Sequence, residues 1–513
     1  MSTDVDELSR LRRELTRLDT VFFLMSAMVV VDTLGAIAVG GAQAFTWLVV
    51  LFLTFFVPSA LISAELGAAI PEEGGAYVWV RMAFGRFAGA LTSLFYWAGT
   101  PMWLGGSVAV VAMSVYQRMI GDLTRPQLYA FGTVFVLLAG VAAVVPLRFG
   151  KWVPNSGAVG QIVLLTFFTL TTAVYGFQHG VHGLALTSLT PTTGVFIAVA
   201  PVLLYSFVGV ELPTTAAQEM RDPRRDIPAA IARAGLGQAL MYGIPIVAVL
   251  LVLPSSAVTS LGGFIDALRT VLTVYGSRVL DDGTVLPDGA GLVAGWLCGA
   301  LFIWVLLASG SAWIMGAGRA QAAACLDGAG PRVLGRISPR SGVPVVMGWV
   351  SAGVSLVTML TDLWLTGADG QRYFSAALTV SIALIVLAYL MIYPAFVALR
   401  LRPAALRTVP LAGRPFLVPG GTAVAWLVAL AATAWSLLAA ACLLWPGLGT
   451  ADPDRQLPSG FAGQRAQFEV LVLGPVIAVA LLCAGYFAVE ALRERSRVRR
   501  SGETPVEEAR TAA

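Results

Sequence analysis

The chain has 513 residues, of which 57% are hydrophobic and only 12% are charged. A soluble globular protein is about one quarter charged, so this composition excludes an ordinary soluble domain and predicts an all-α protein that crosses the membrane many times. The net charge of +4 is explained by basic residues in loops beside the membrane, and it does not indicate nucleic-acid binding.

Apolar runs of about 20 residues, long enough to cross the bilayer, recur along the chain. They predict twelve transmembrane helices, called spans 1 to 12 here, at 20–42, 46–69, 84–117, 127–147, 153–177, 193–217, 233–254, 289–317, 343–362, 373–399, 420–445 and 469–491. Most Lys and Arg residues fall in loops on the side of the N-terminus, which predicts cytoplasmic tails at 1–19 and 492–513. The segment "GGFIDALRTVL" predicts an amphipathic helix on the extracellular face.

Spans 1 and 6 each combine glycine with an acidic residue inside the membrane, in "VVVDTLGAIAVGG" (29–41) and "SFVGVELPTT" (206–215). Glycine-interrupted spans at matching positions in two halves are typical of a transporter binding site. This pairing predicts two five-span repeats, 20–177 and 193–399, followed by helices 11 and 12 at 420–491. If the repeats are inverted, they enclose a cavity near the membrane midplane.

A helix broken inside lipid leaves backbone groups that need partners, so such breaks line cavities. A half-helix N-terminus suits a carboxylate, and the freed carbonyl groups suit an ammonium group or a metal cation. Two breaks together therefore predict a site with the shape of an amino acid.

Asp32 lies inside the first break, beside Thr33 and Gly35. A fixed negative charge there would repel a substrate carboxylate and attract an amine or a cation, so we predict contact with a ligand or an ion. The alternative is that Asp32 caps the second half-helix, because Asp is favoured at that position.

Glu211 follows the break in span 6, after 59 residues from Trp152 to Val210 that contain no Asp, Glu, Lys or Arg. A carboxyl group at this depth should be neutral, paired or facing water, which predicts a proton-coupling or gating group. The alternative is a protonated Glu211 that bonds to the freed backbone. Glu65 is predicted to hold the glycine-rich loop after span 2. Away from the span ends, where Arg86 and Arg233 lie, the predicted spans hold no Lys or Arg, so no basic partner is predicted for these acids.

The two histidines, His179 and His182, share the loop "GFQHGVHG" and are predicted to be plain loop residues, with a metal site as the alternative. The four cysteines are scattered without metal-binding spacing, which favours packing roles. No cofactor and no metal are predicted.

Five segments in order carry a family resemblance: "AELGAAIPEEGGAYVWVRMAFG", "SFVGVELPTTAAQEMRDPRRDIPAAI", "RAQAAACLDGAGPRVLGRISPRSGVP", "LAYLMIYPAFVALRLRP" and "RPFLVPGG". With them the chain resembles the amino acid–polyamine–organocation superfamily of secondary transporters, over nearly its whole length. The resemblance implies the LeuT-type fold, with two inverted five-helix repeats, broken helices 1 and 6, and two extra helices.

The resemblance also implies roles for single residues. Glu211 matches a glutamate implicated in proton-linked transport, Tyr205 matches an aromatic gate, and Trp313 matches a tryptophan near amine-bearing substrates. The alternative for Trp313 is a packing or lipid-facing role. The predicted substrate-binding set is Asp32, Thr33, Gly35, Tyr205, Ser206, Gly209 and Trp313.

Two departures from the family pattern affect the substrate and the coupling ion. The first break reads "DTLG" where the family commonly has G-S-G, which makes an amine or polyamine a serious alternative to an α-amino acid. Span 5 lacks the lysine that stands in for sodium in many proton-dependent members. Coupling must then use another group, or the protein is an exchanger, or it uses a cation near Ser309 and Ser311.

These observations predict a secondary-active transporter, not an enzyme, that moves an amino acid by alternating access through proton-coupled symport or exchange. The alternative is an amine or polyamine transporter with Asp32 as the substrate counter-ion. A membrane enzyme is a distant alternative because no catalytic constellation is visible, and a channel would need a repeated filter. The predicted setting is the bacterial cytoplasmic membrane, with a small-molecule substrate, H+ and lipid as partners, in a monomer or homodimer.

Overall fold

The computed structural model describes residues 14–29, 41–181, 189–192, 202–252, 263–279, 285–366, 370–401, 415–448, 452–458 and 461–501. Three predicted site residues, Asp32, Thr33 and Gly35, and also His182, lie outside the described residues.

Long helices make up most of the described chain. In chain order they are Arg17–Met28 in span 1, Gly41–Ala69 (span 2), Arg86–Met119 (span 3), Arg125–Val144 (span 4), Trp152–His179 (span 5), Pro223–Val252 (span 7), Ala290–Leu326 (span 8), Val345–Thr366 (span 9), Gly370–Leu401 (span 10), Gly421–Leu444 (span 11) and Arg465–Ser501 (span 12).

Shorter elements connect these helices. They are the α-helices Ala76–Phe84, Leu147–Gly150, Gly263–Leu272 and Arg332–Gly335, the 3-10 helices Leu212–Glu219, Thr273–Tyr275 and Pro453–Gln456, and the antiparallel strands Ser277–Val279 and Val285–Pro287. The predicted amphipathic helix is confirmed at Gly263–Leu272, where Phe264 packs on Phe168 of span 5 and Phe302 of span 8.

The start of span 1 follows from its local sequence. Thr16 and Asp19 form a capping box, in which the Asp19 carboxylate accepts a bond from the Thr16 amide at 3.0 Å. This exchange satisfies amide groups that a helix N-terminus leaves unpaired. The helix then ends at Met28, immediately before the residues that hold the predicted break.

Two spans contain π-helical turns, at Phe52–Phe56 in span 2 and Leu104–Val108 in span 3. The turn in span 3 follows Pro101, which has no amide hydrogen to donate within its helix. Small residues let the neighbouring backbone come close there, and a Cβ on Gly105 would lie 2.1 Å from the Ser355 carbonyl oxygen of span 9. Such local irregularities in helices occur often at functional sites.

Spans 1 and 6 lie among spans 5, 7 and 8. The helix of span 1 packs against all three of these helices, and the 3-10 helix of span 6 packs against spans 7 and 8. The two broken spans therefore have a wall of continuous helices, whose side chains can reach the freed backbone groups.

Ten of the described helices are long and apolar enough to cross a membrane, which shows a mostly helical multi-pass protein. The count of twelve stays a prediction, as do the domain boundaries. Span 8 extends to Leu326, nine residues beyond its predicted end at 317, so that Arg319 lies in this helix. The predicted end at 317 was too early because it was placed just before the first charged residue, Arg319.

Candidate substrate site

The break in span 6 is formed by a short irregular segment. Residues 202–205 are helical, residues 206–211 are not, and the 3-10 helix Leu212–Glu219 begins next. Gly209 has φ +100°, a conformation that L side chains rarely adopt, and a Cβ there would lie 2.8 Å from the Trp313 indole. Glycine at this position therefore allows both the turn and the close contact with span 8.

The Glu211 side chain is held by a tyrosine hydroxyl group. Its Oε2 accepts a hydrogen bond from the Tyr389 hydroxyl at 2.7 Å, and the same hydroxyl accepts one from the Gly209 amide at 2.9 Å. The Tyr96 hydroxyl also lies within reach of the carboxyl group, although without hydrogen-bond geometry. The side chain is 1% exposed, and its Oε1 has no hydrogen-bond partner among the described residues.

Aromatic rings from spans 3, 6 and 8 surround this region. The ring centroid of Trp313 lies 6.0 Å from that of Tyr96 and 6.2 Å from that of Trp103, and Trp103 lies 6.3 Å from Tyr205. We call these four residues the aromatic cage. Trp313 is fixed further by its indole N–H, which donates to the Ala27 carbonyl oxygen of span 1 at 2.9 Å.

Some of the predicted site residues that the structure describes lie close to one another at the break in span 6. Tyr205, Gly209 and Trp313 lie around the break with Glu211, as predicted, while their contact with a substrate stays a prediction. Ser206 turns its hydroxyl back to the Val202 carbonyl at 2.9 Å. Ser311 does the same with the Leu307 carbonyl at 2.7 Å, whereas the Ser309 hydroxyl is buried with no partner among the described residues.

Several residues of the site were not found from the sequence. Tyr96, Trp103 and Tyr389 bring aromatic or hydroxyl groups from spans 3 and 10, and Gln161 and Gln238 bring amides from spans 5 and 7. The segment "FYWAGTPMW" in span 3 carried a usable signal, because a proline between two tryptophans indicates an irregular, aromatic-lined helix.

Charge pairs join the spans at the end of the bundle where span 1 begins, which is the predicted cytoplasmic end. Glu219 Oε2 lies 3.0 Å from Arg319 Nε, both side chains being at most 3% exposed, and the Leu15 amide donates to the Glu219 carbonyl at 3.1 Å. Arg17 of span 1 pairs with Asp226 of span 7 at 2.7 Å. Spans 1, 6, 7 and 8 are thereby joined at this end.

Glu73 lies in the same cluster, and its carboxyl group accepts a hydrogen bond from the main-chain amide of Gln218 at 3.2 Å. Burial raises the pKa of Glu73 well above its usual value, the nearby Glu219 carboxylate raises it further, and Arg319 lowers it in part. Two buried carboxyl groups thus share one guanidinium group, which favours a neutral Glu73.

The prediction that Glu65 lacks a basic partner was wrong. Glu65 has a basic partner, because Arg400 of span 10 approaches its Oε2 to 2.5 Å. The same oxygen accepts a bond from the Val418 amide at 2.8 Å, so Glu65 joins span 2 to span 10 and to the segment before span 11. The partner was missed because Arg400 lies at a predicted span end, 335 residues away.

This arrangement, an interrupted span 6 beside the end of the span 1 helix, can be compared with known proteins. A sequence model described as amino acid permease matches residues 15–458. The chain belongs to the amino acid permease family. It is thus a transporter of the superfamily that the sequence motifs indicated, and it is not an enzyme.

Within and around this family, individual relatives are distant in sequence. The chain is 25% identical over 393 residues to a probable agmatine/putrescine antiporter of Lactococcus lactis. The matched region covers 75% of this chain and 77% of the relative. The chain is 28% identical over 381 residues to an uncharacterised transporter of Mycobacterium tuberculosis, which covers 73% and 79%.

The fold is similar to that of the Eremococcus coleocola manganese transporter. The two share a TM-score of 0.57 and 12% identity over 94% of each chain. At this identity the likeness shows the fold alone, and it confirms the predicted LeuT-like architecture of this amino acid permease.

Proposed function

We propose that this permease is a secondary-active exchanger of compounds with a cationic amino group, such as an amine or diamine, working by alternating access around spans 1 and 6. The observation that carries the proposal is the buried Glu211 carboxyl group, which has an unpartnered oxygen and lies beside the aromatic cage. Carboxylates and ring faces both attract an ammonium group.

The donors around Glu211 support this choice of substrate. Among the described residues, the Tyr389 hydroxyl donates to its side chain, and no basic side chain contacts it. A carboxylate in apolar surroundings is costly unless it is paired or protonated. A cationic amine, or a proton in its absence, would supply the missing charge, so Glu211 would couple amine exchange to protonation.

The name of one relative agrees with the proposal. The Lactococcus lactis relative is named as a probable antiporter of agmatine and putrescine, both of which are cationic amines. Asp32 would add a second carboxylate to a diamine site as the substrate counter-ion, with Thr33 and Gly35 beside it. We further propose a bacterial cytoplasmic membrane location with both termini inside, H+ as the coupling ion, and a monomer or homodimer.

The test is counterflow exchange in liposomes that contain the purified protein. Each amino acid is compared with its decarboxylated amine, for example arginine with agmatine and ornithine with putrescine. We expect uptake of labelled amine only into liposomes loaded with amine. Uptake of the amino acids without the amines would contradict the proposal and support the α-amino acid reading.

Two variants locate the recognition site. Glu211→Gln keeps the shape of the side chain and removes its charge, so we expect amine exchange to fall by about tenfold or more while the melting temperature is kept. Glu72→Gln is the matched control, because Glu72 is exposed in the loop after span 2. Unchanged exchange in Glu211→Gln would remove Glu211 from the site.

A further inference from the structure

The first helix of span 1 ends inside the protein, and its last carbonyl groups need donors. A helix leaves its last four carbonyl groups without partners in the helix, and in a membrane each must find one elsewhere. The Met25 carbonyl is taken by the Val29 amide at 3.0 Å. The carbonyl groups of residues 26, 27, 28 and 29 follow it at the broken end.

All four of these carbonyl groups accept hydrogen bonds from side chains of other spans. Gln161 of span 5 donates from Nε2 to Ser26 at 3.2 Å and to Val29 at 2.8 Å. Trp313 of span 8 donates to Ala27 at 2.9 Å. Gln238 of span 7 donates to Met28 at 3.2 Å. We call Gln161, Gln238 and Trp313 the neutral cap, since none of them carries a charge.

Gln238 also reaches the second broken span. Its Nε2 donates to the Ser206 carbonyl of span 6, at the end of the short helix before the break. A glutamine amide has two donor hydrogens, and Gln238 uses one on each broken span while Gln161 uses both on span 1. Both glutamines are 0% exposed, so water does not compete for these bonds.

The free carbonyl ends of broken helices are where transporters of this architecture coordinate coupling cations. Such a cation provides positive charge at the negative end of the half-helix dipole. Here the N–H groups of the neutral cap supply partial positive charge at the same oxygens without an ion. We propose that Gln161 and Gln238 take the place of a coupling metal cation, so that exchange proceeds without sodium and both glutamines act as positioning residues for spans 1 and 6.

The inference rests on the proposed function only for its transport readout. It also deepens that function, because a site that is held together without a metal cation leaves the amine and the proton as the charges that move. Gln238 bonds to both broken spans and therefore makes them change position together.

The same spans also carry groups that would suit the competing possibility, a bound cation. The hydroxyls of Ser26 and Ser309 and the Oε1 atoms of both glutamines are buried with no partner among the described residues. Hydroxyl and amide oxygens of this kind can ligate a monovalent cation, and Ser309 belongs to the cation site predicted near Ser309 and Ser311. The two arrangements differ in whether the wild-type protein responds to sodium.

The first experiment compares wild-type protein in NaCl and in N-methylglucamine chloride at equal ionic strength. The melting temperature is measured without substrate, and amine counterflow is measured with it. We expect no sodium-dependent shift in melting temperature and exchange rates that agree within about twofold. A higher melting temperature in sodium, or exchange that requires sodium, overturns the inference.

The second experiment exchanges the amides for acids. Gln161→Glu and Gln238→Glu place a carboxylate against carbonyl oxygens, so we expect about tenfold slower exchange without sodium and a gain in melting temperature with sodium that the wild type lacks. Gln321→Glu is the matched control, because Gln321 is a buried glutamine of span 8 that accepts a bond from Ser93. Normal exchange in both acidic variants without sodium contradicts the inference.

The two readouts separate this inference from the proposed substrate. If no amine is exchanged while the melting temperature is insensitive to sodium, the amine proposal fails and the neutral cap stands. If the amine is exchanged only with sodium, the neutral cap fails and the substrate proposal stands.

Discussion

The centre of the molecule and its predicted cytoplasmic end are held together by different kinds of contact. At the centre, the donors are neutral: the Tyr389 hydroxyl on Glu211 and the neutral cap on the carbonyl end of span 1. At the end, ion pairs join the spans, as in Arg319 with Glu219 and Arg17 with Asp226. Neutral donors hold the backbone in place and leave a carboxyl oxygen free to bind a ligand, whereas the charges of an ion pair neutralise one another and join the helices.

The largest effect should come from breaking the buried ion pair. Arg319→Met leaves Glu219 and Glu73 buried without a counter-charge, so we expect about 3–5 kcal/mol lower stability and poor yield of folded protein. Melting of the purified variant measures this loss. Arg81→Met is the control, since Arg81 and Asp327 are partly exposed and a surface pair contributes about 0–1 kcal/mol. Equal effects of the two variants would contradict the distinction between buried and surface pairs.

A methyl group at the centre should disturb the break itself. Gly209→Ala puts a side chain on a residue with φ +100° and a Cβ 2.8 Å from the Trp313 indole, so we expect about 1–3 kcal/mol lower stability and slower exchange. Gly243→Ala in span 7 is the control, because no atom lies within 4 Å of its added Cβ. A normal melting temperature and exchange rate for Gly209→Ala would show that the break does not need this geometry.

Removing one hydroxyl should test the neutral donors around the acid. Tyr389→Phe takes away the donor to Glu211 and the acceptor of the Gly209 amide, which we expect to cost about 1–3 kcal/mol and to slow exchange. The control is Tyr116→Phe, whose ring packs on Phe131 in another part of the bundle. Wild-type exchange in Tyr389→Phe would mean that Glu211 is positioned by other groups.

The smallest effect concerns pH at the predicted cytoplasmic end. The pKa of Glu73 is raised in the folded protein, so its contribution to stability is fully present below the unfolded pKa and is lost as pH rises through the folded pKa. Glu73→Gln should therefore melt at a higher temperature than wild type above that range and show a flatter pH profile. A profile parallel to that of Glu72→Gln would contradict the expected shift.

The sequence was most informative where composition changes sharply. Gly209 and Glu211 stand out because an acid follows a long uncharged run, and a break next to it was predicted and found. Trp313 was predicted only through the family resemblance, and it does lie against Gly209.

The partners of these residues were not predictable from the sequence. Tyr389 and Glu211 are 178 residues apart, and Gln161 reaches span 1 across more than 130 residues. Tyrosines and glutamines in a long apolar chain carry no local signal of what they will contact, because helix packing decides it. The end of span 8 was predicted wrongly for a related reason, because Arg319 lies inside the helix and is neutralised there by Glu219 from span 6, which is distant in sequence.

The bond between the Leu15 amide and the Glu219 carbonyl joins main-chain atoms, with a parallel bridge between Leu15 and Met220 beside it. Any amino acid except proline can supply such an amide, so the side chain at position 15 can change over evolutionary time without loss of this bond. Descendants of this protein could therefore keep the same link between spans 1 and 6 while their sequences at this point no longer look alike.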